Sequence, residues 1–296
     1  MQNMCFNKTN KLPLAVVMIS LNEAHNMEGV LKNISDWAQE IFLVDSFSQD
    51  NTIDIALKYN VHIVQRKFNG FGDQWNFALN NLPITCPWVM KLDPDERVTE
   101  DLKRSLEKLI LSDSCEGINI RRRLWFMGSI LPVAQNILRL WKNGNCKFTD
   151  VQVNEYPLVS GKIECADGYL EHHDSPNLDH WVSKQNNYTT IEAINQYSNG
   201  NLAAIPNFLG SKLERRMWIK TVFWKIPGRY SLLFVYHYVI LGAWKAGKIG
   251  WIWSHLRVDV YRYWGYKKIE MEVTGKVICK ISNQPGVRDK RVKLYK

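Results

Sequence analysis

The strongest constraint on this 296-residue chain lies in its first hundred residues, where short apolar runs alternate with segments of helical periodicity. LAVVMISL is a continuous apolar run, and NEAHNMEGVLKNISDWA after it sets Met27, Val30, Leu31 and Ile34 at helical spacing. EIFLVDS then precedes DNTIDIALKYN, where Asp50 or Asn51 can cap a helix bearing Ile53, Ala56 and Leu57. VHIVQR, the helical GDQWNFALNNL and the strand-like WVMKLD complete the series. Four strands separated by three helices predict a parallel sheet with right-handed crossovers.

In open sheets of this kind ligands sit at the carboxyl ends of the strands. There the chain places its polar clusters: SLNE after the first strand, DSFSQD after the second and DPDE after the fourth. None of these loops is a GxGxxG or carries a P-loop lysine, which argues against a dinucleotide or ATPase site. In DPDE, Asp93, Asp95 and Glu96 gather negative charge where an apolar strand ends. A hard divalent cation would relieve their repulsion and leave positions for phosphate oxygens. Asp93 and Asp95 are two residues apart, and on an extended chain they share a face.

Beyond residue 118 the pattern changes to short mixed segments up to about 175, followed by a helix over LDHWVSKQNNYTTIEAINQYS. Charge then separates sharply. Residues 1–210 hold 19 Lys/Arg against 24 Asp/Glu, and residues 211–296 hold 19 against 5. An acidic body with a basic tail predicts an anionic partner for the tail, such as nucleic acid, lipid head groups or phosphorylated saccharides. Six of the 12 tryptophans lie between 211 and 270, interleaved with Lys and Arg. That mixture suits a membrane interface, although a buried helical pair under the body fits it as well. YSLLFVYHYVILGAW is short for a bilayer span and is interrupted by His237 and Gly242. The six cysteines have no CxxC or zinc spacing, and no secretory signal is visible at the N-terminus, so reduced cytosolic thiols are expected.

Taken together, SLNE (Ser20 to Glu23), DSFSQDNT (Asp45 to Thr52), QWNFAL (Gln74 to Leu79) and DPDE (Asp93 to Glu96) resemble the motifs of the family 2 glycosyltransferases. The resemblance is to the bacterial branch that glucosylates lipopolysaccharide core and other surface glycans. It covers residues 13 to about 100 closely and extends more loosely to about 265. It implies an α/β GT-A fold, a Rossmann-like mixed sheet, with a catalytic domain over 1–210 and a basic, Trp-rich helical extension over 211–296. The nucleotide-binding half would span about 13–110 and the acceptor half about 111–210.

The resemblance further implies that Ser20, Asn22 and Glu23 line the nucleotide pocket and that Asp45 accepts a hydrogen bond from uracil. Gln74 and Asn76 would hold the nucleotide side, Asp93 would lie near ribose or metal, and Asp95 would bind Mn2+ or Mg2+ on the diphosphate. Asn22, like Asp50, reads equally well as a helix cap. Glu155 in VQVNEYP matches the family's Glu and is the expected base, whereas Asn154 stands where the family has His. Of His172 and His173, His173 is the expected metal ligand. Arg121, Arg122, Arg123 and Arg139 are either diphosphate contacts or solvated surface charges.

The expected activity is inverting transfer of a hexose, glucose first, from a UDP-sugar to a lipid-linked saccharide, by a metal-dependent enzyme on the cytoplasmic face of a bacterial inner membrane. A polyprenyl-phosphate acceptor is the nearest alternative. A nucleic-acid-binding module would use the basic tail but leaves the acidic loops unexplained, and a silent membrane adaptor conflicts with intact Asp45, Asp93 and Asp95.

Overall fold

A computed structural model describes residues 11–149, 155–198, 202 and 204–277. The first half alternates as β1 (Leu12–Ser20), α1 (Ala24–Ile34), β2 (Ala38–Asp45), α2 (Thr52–Leu57), β3 (His62–Gln65), α3 (Phe71–Asn81) and β4 (Trp88–Lys91). A short β5 (Glu96–Val98) and α4 (Glu100–Ser112) follow, and then the long hairpin of β6 (Gly117–Phe126) and β7 (Ser129–Lys142). Four three-residue strands come next: β8 (Cys146–Phe148), β9 (Pro157–Val159), β10 (Ile163–Cys165) and β11 (Leu170–His172). The rest is helical, with α5 (Leu178–Tyr197), α6 (Lys212–Phe223), α7 (Arg229–Val235) and α8 (Gly247–Thr274).

The main sheet runs β3-β2-β1-β4-β7-β6-β11-β5, with β10 on β6, and β8 pairs with β9 apart from it. Strands β1 to β4 are mutually parallel, whereas β7 is antiparallel to both β4 and β6. The sheet is therefore mixed, as expected. Its second part combines the long β6–β7 hairpin, with Met127 and Gly128 at positive φ making the turn, and the short strands β5, β10 and β11.

The central position of β1 explains its apolar run. Leu14, Val16 and Met18 face one side, where Met27, Leu31 and Ile34 of α1 and Leu102 and Leu106 of α4 pack. Ala15, Val17 and Ile19 face the other, against Trp75, Ala78 and Phe148. A strand covered on both faces has no solvent side on which to place polar residues. Because β2 and β3 lie to one side of β1 and β4 to the other, the chain reverses its winding at β1. The crevice beyond the carboxyl ends of β1 and β4 is the topological switch point.

Helix α8 packs along α5, and a 3-10 turn at Ala243–Ala246 meets β7. Trp181 joins Leu131, Val133, Ala243 and Trp253 in one apolar cluster, and Ala193 joins Trp264 and Met271 in another. The apolar run at 230–244 is not one helix. It breaks into α7, a π-helical turn at Tyr236–Ile240 and the 3-10 turn, with Gly242 at φ 80° between them. Among the described residues no helix is long and apolar enough to cross a membrane. The four described cysteines, Cys86, Cys115, Cys146 and Cys165, are free.

Candidate active site

The loops after β1 and β2 are laced together before any ligand is considered. Asp45 is fully buried and accepts from Ser20 Oγ (2.9 Å), the Ser48 amide (2.8 Å), Ser48 Oγ and Gln65 Nε2 (3.1 Å). Asn22, at φ 56°, receives the Gln49 amide on its side chain and donates its own amide to Ser48 Oγ. The Glu23 and Ala24 amides donate to Thr52 Oγ1 and Asp50 Oδ2, so Asp50 caps α1 from the neighbouring loop rather than α2 alone. These bonds satisfy donors that a helix start leaves open.

Three of the expected pocket residues are engaged by protein groups. Both carboxylate oxygens of Asp45 accept from protein donors, and through these bonds it braces the two loops. Gln74 is buried between Arg66 and Ser46. Asn76 donates to the Phe148 carbonyl (2.9 Å) and accepts from its amide (2.8 Å), clamping β8 to α3. Neither side chain lines the cleft. Asn76 pins β8 because a side-chain amide can mimic one rung of a backbone ladder.

At the switch point, the segment after β4 turns at Asp93, whose carbonyl accepts the Glu96 amide (2.9 Å). This turn sends the two aspartates to different cations instead of one shared face. Asp93 pairs with Arg139 (2.9 Å), which also holds the buried Glu96 (2.5 Å). Arg97 staples the turn to α1 by donating to the Pro94, Glu96 and Asn26 carbonyls. The Arg97 guanidinium lies close over Gly29, where a Cβ would stand 2.6 Å from it and the guanidinium would have to shift.

Asp95 Oδ2 meets Lys184 Nζ of α5 (3.1 Å) and His172 Nε2 of β11 (3.2 Å), and Lys184 also holds Asp174 (2.9 Å). Ligand atoms of Asp95, His172 and Asp174 all lie within 4.8 Å of one another. His172, not His173, completes this group. His173, one residue past the end of β11, instead stacks on Trp125 at 5.2 Å. Burial opposes ionisation of Asp95, but Lys184 and then His172 outweigh it and hold the carboxyl well below its ordinary range. His172 is held above its ordinary value by the Asp95 charge despite burial.

Glu23 behaves oppositely. Burial first, then the Asp95 charge, pushes its carboxyl up to about 7. The folded state therefore binds this proton more tightly than the unfolded chain. The contribution to stability is complete below the unfolded value of 4.5 and is lost as pH rises through 7. In metal-free protein Glu23→Gln is expected to gain on the order of 3 kcal/mol relative to wild type at pH 8. Urea unfolding at pH 8 and pH 4 checks this, and the gain should vanish at pH 4.

Glu155 sits across the same cleft, ion-paired to Lys91 and with its side chain 11% exposed. Lys91 also lies over the rings of Trp75 (4.4 Å) and Phe148 (5.2 Å), which fixes the ammonium and through it the carboxylate. Asn154 lies outside the described residues. Arg122 reaches Glu96 at the cleft wall, whereas Arg123 pairs with Glu171 and stacks with Arg121 on Tyr169. The cleft measures about 3860 Å³ and runs from Ser20, Asn22 and Glu23 past Asp93 and Asp95 to α6 and α7.

Lys91, Asp174 and Lys184 are the site residues that sequence reasoning missed. Lys91 had a readable signal, a lone charge in an otherwise apolar strand whose four residues are all buried. Lys184 had none, because a lysine on a polar stretch of helix looks like a solvated charge.

The crevice at the sheet's switch point is walled by Asp93 and the buried Asp95 and by the Glu155–Lys91 pair. The chain belongs to glycosyl transferase family 2, whose sequence model matches residues 15–165. Among curated proteins it is similar to the lipopolysaccharide core biosynthesis glycosyltransferase LpsC of Rhizobium meliloti, 28% identical and covering 82% of this chain and 86% of that protein. An uncharacterized glycosyltransferase of Rickettsia conorii is 22% identical over 80% of this chain and 84% of its own. Among solved structures, S. aureus TarS 1-349 in complex with UDP-GlcNAc superposes with a TM-score of 0.44 at 14% identity, covering 92% of this chain and 95% of that one.

Proposed function

We propose that this glycosyltransferase moves a hexose, with glucose the first candidate, from a UDP-sugar to a lipopolysaccharide-core or other lipid-linked surface saccharide, inverting the anomeric carbon. The observation that carries the reading is the meeting of Asp95, His172 and Asp174 at the switch-point crevice, with Glu155 on the wall of the same cleft. The similarity to LpsC over most of both chains supports the acceptor class. The catalytic body is read as residues 1–210, and 211–296 as the part that meets an anionic membrane surface on the cytoplasmic side.

Two carboxylates and an imidazole within 4.8 Å suit a divalent cation such as Mn2+ or Mg2+. Asp95, His172 and Asp174 would hold it, with Asp93 beside them. When bound, the ion neutralises charge on the leaving diphosphate. Lys184 supplies the countercharge to Asp95 and Asp174 from the protein itself. Ser20, Asn22 and Glu23 form the nucleotide wall. Asp45, Gln74 and Asn76 serve it by fixing the loops and strands behind. Glu155 takes the proton from the acceptor hydroxyl, and Lys91 holds its carboxylate in place.

The test is release of UDP from a panel of UDP-hexoses by purified protein with Mn2+, in the presence of lipopolysaccharide core acceptors. Sugar transfer from one UDP-hexose supports the reading. Absence of transfer and of UDP release from every donor, in folded protein, removes it.

A further inference from the structure

The helical run from Arg229 to Ile240 is apolar on both faces. Its inner face is occupied: His237 is buried edge-on to Trp253 at 5.2 Å, and Tyr238 and Leu241 pack on Leu131, Val133 and Trp253. The outer face carries Leu232 and Val235 of α7 and Tyr236, Val239 and Ile240 of the π-helical turn. They are 58, 46, 45, 55 and 70% exposed, and Trp244 just beyond is 52% exposed. A contiguous apolar stripe of this kind marks a contact surface.

Charge says what the stripe contacts. Residues 211–258 hold nine Lys/Arg and a single acid, Glu214, which is engaged in the capping box of α6. Lys225, Lys245 and Lys248 are exposed and make no ion pair among the described residues. Apolar side chains flanked by aromatic rings and uncompensated cations match the depth profile of a bilayer interface, from acyl chains to phosphates.

We propose that the Leu232–Ile240 stripe, with Trp244, is a membrane-docking face that enters the head-group region of a bilayer containing anionic lipid. Leu232 and Tyr236 also line the cleft that holds Asp95 and Glu155, so docking there sets the mouth of the cleft against the lipid surface. The purpose of the face rests on the lipid-linked acceptor proposed above. Its existence is measured without turnover, so the two readings fail separately.

The experiment is flotation of the full chain with vesicles of phosphatidylcholine alone or with one part in three phosphatidylglycerol. Wild type is expected to float with the anionic vesicles and to be released by high salt. Val239→Asp with Ile240→Asp, and separately Lys245→Glu with Lys248→Glu, should each lower vesicle affinity by at least about tenfold. All four positions are exposed, and circular dichroism with urea midpoints equal to wild type will show that the variants fold. Wild type remaining unbound, or the Val239/Ile240 variant floating as well as wild type, overturns the proposal. So does a wild-type dimer that this variant converts to monomer, since a second copy would then cover the stripe.

Discussion

Asp95→Ala is expected to lower the transfer rate by at least about 10³-fold, because it removes one of the two carboxylates that the divalent cation would need and leaves a site of weaker charge. The fold should survive, since Lys184 keeps Asp174 at 2.9 Å as a partner. Two further readouts separate loss of the site from general damage. Mn2+ should no longer bind, as followed by electron paramagnetic resonance of the free ion. His172 should also titrate lower than in wild type, because the Asp95 charge is what holds it up against burial. Asp95→Asn keeps the volume and is expected to reproduce both effects. Transfer within tenfold of wild type in either variant would detach the site from the chemistry.

Glu155→Gln is expected to reduce kcat by about 10²- to 10⁴-fold while leaving UDP-sugar affinity unchanged, the pattern of a group needed for proton transfer and not for donor binding. The amide preserves shape and hydrogen bonding to Lys91 but cannot accept a proton from the acceptor hydroxyl. Steady-state kinetics at saturating donor, with donor affinity measured separately, check this. An unchanged kcat would assign Glu155 a structural role beside Lys91 and return the search for the base to the other acids of the cleft.

The parallel half of the fold was legible because its signals are local. In α1, Met27, Val30, Leu31 and Ile34 are the buried residues, as their spacing predicts. The continuous run of β1 becomes the central strand, buried on both faces. The site's acidic loops were legible for the same reason, each following directly on a strand. What stayed hidden is set by tertiary pairing. Asp45, Gln74 and Asn76 carry strong motif signals, yet Gln65, Ser46 and Phe148, to which they respectively bond, lie 20, 28 and 72 residues away. A motif identifies a constrained side chain without saying whether it faces ligand or protein. His172 and His173 could not be separated without the register of β11, because one residue of slip exchanges their faces. Lys184 enters the site only because α5 lies across the mouth of the crevice, a placement that no pattern within its own helix predicts.

The most direct test of the central claim is isothermal titration of UDP into the purified protein, once with Mn2+ and once with a chelator. UDP binding is expected to depend on the metal and to disappear in Asp95→Ala. Equal UDP binding with and without the ion would contradict the cation site at Asp95, His172 and Asp174, and no binding under either condition would contradict the nucleotide pocket itself.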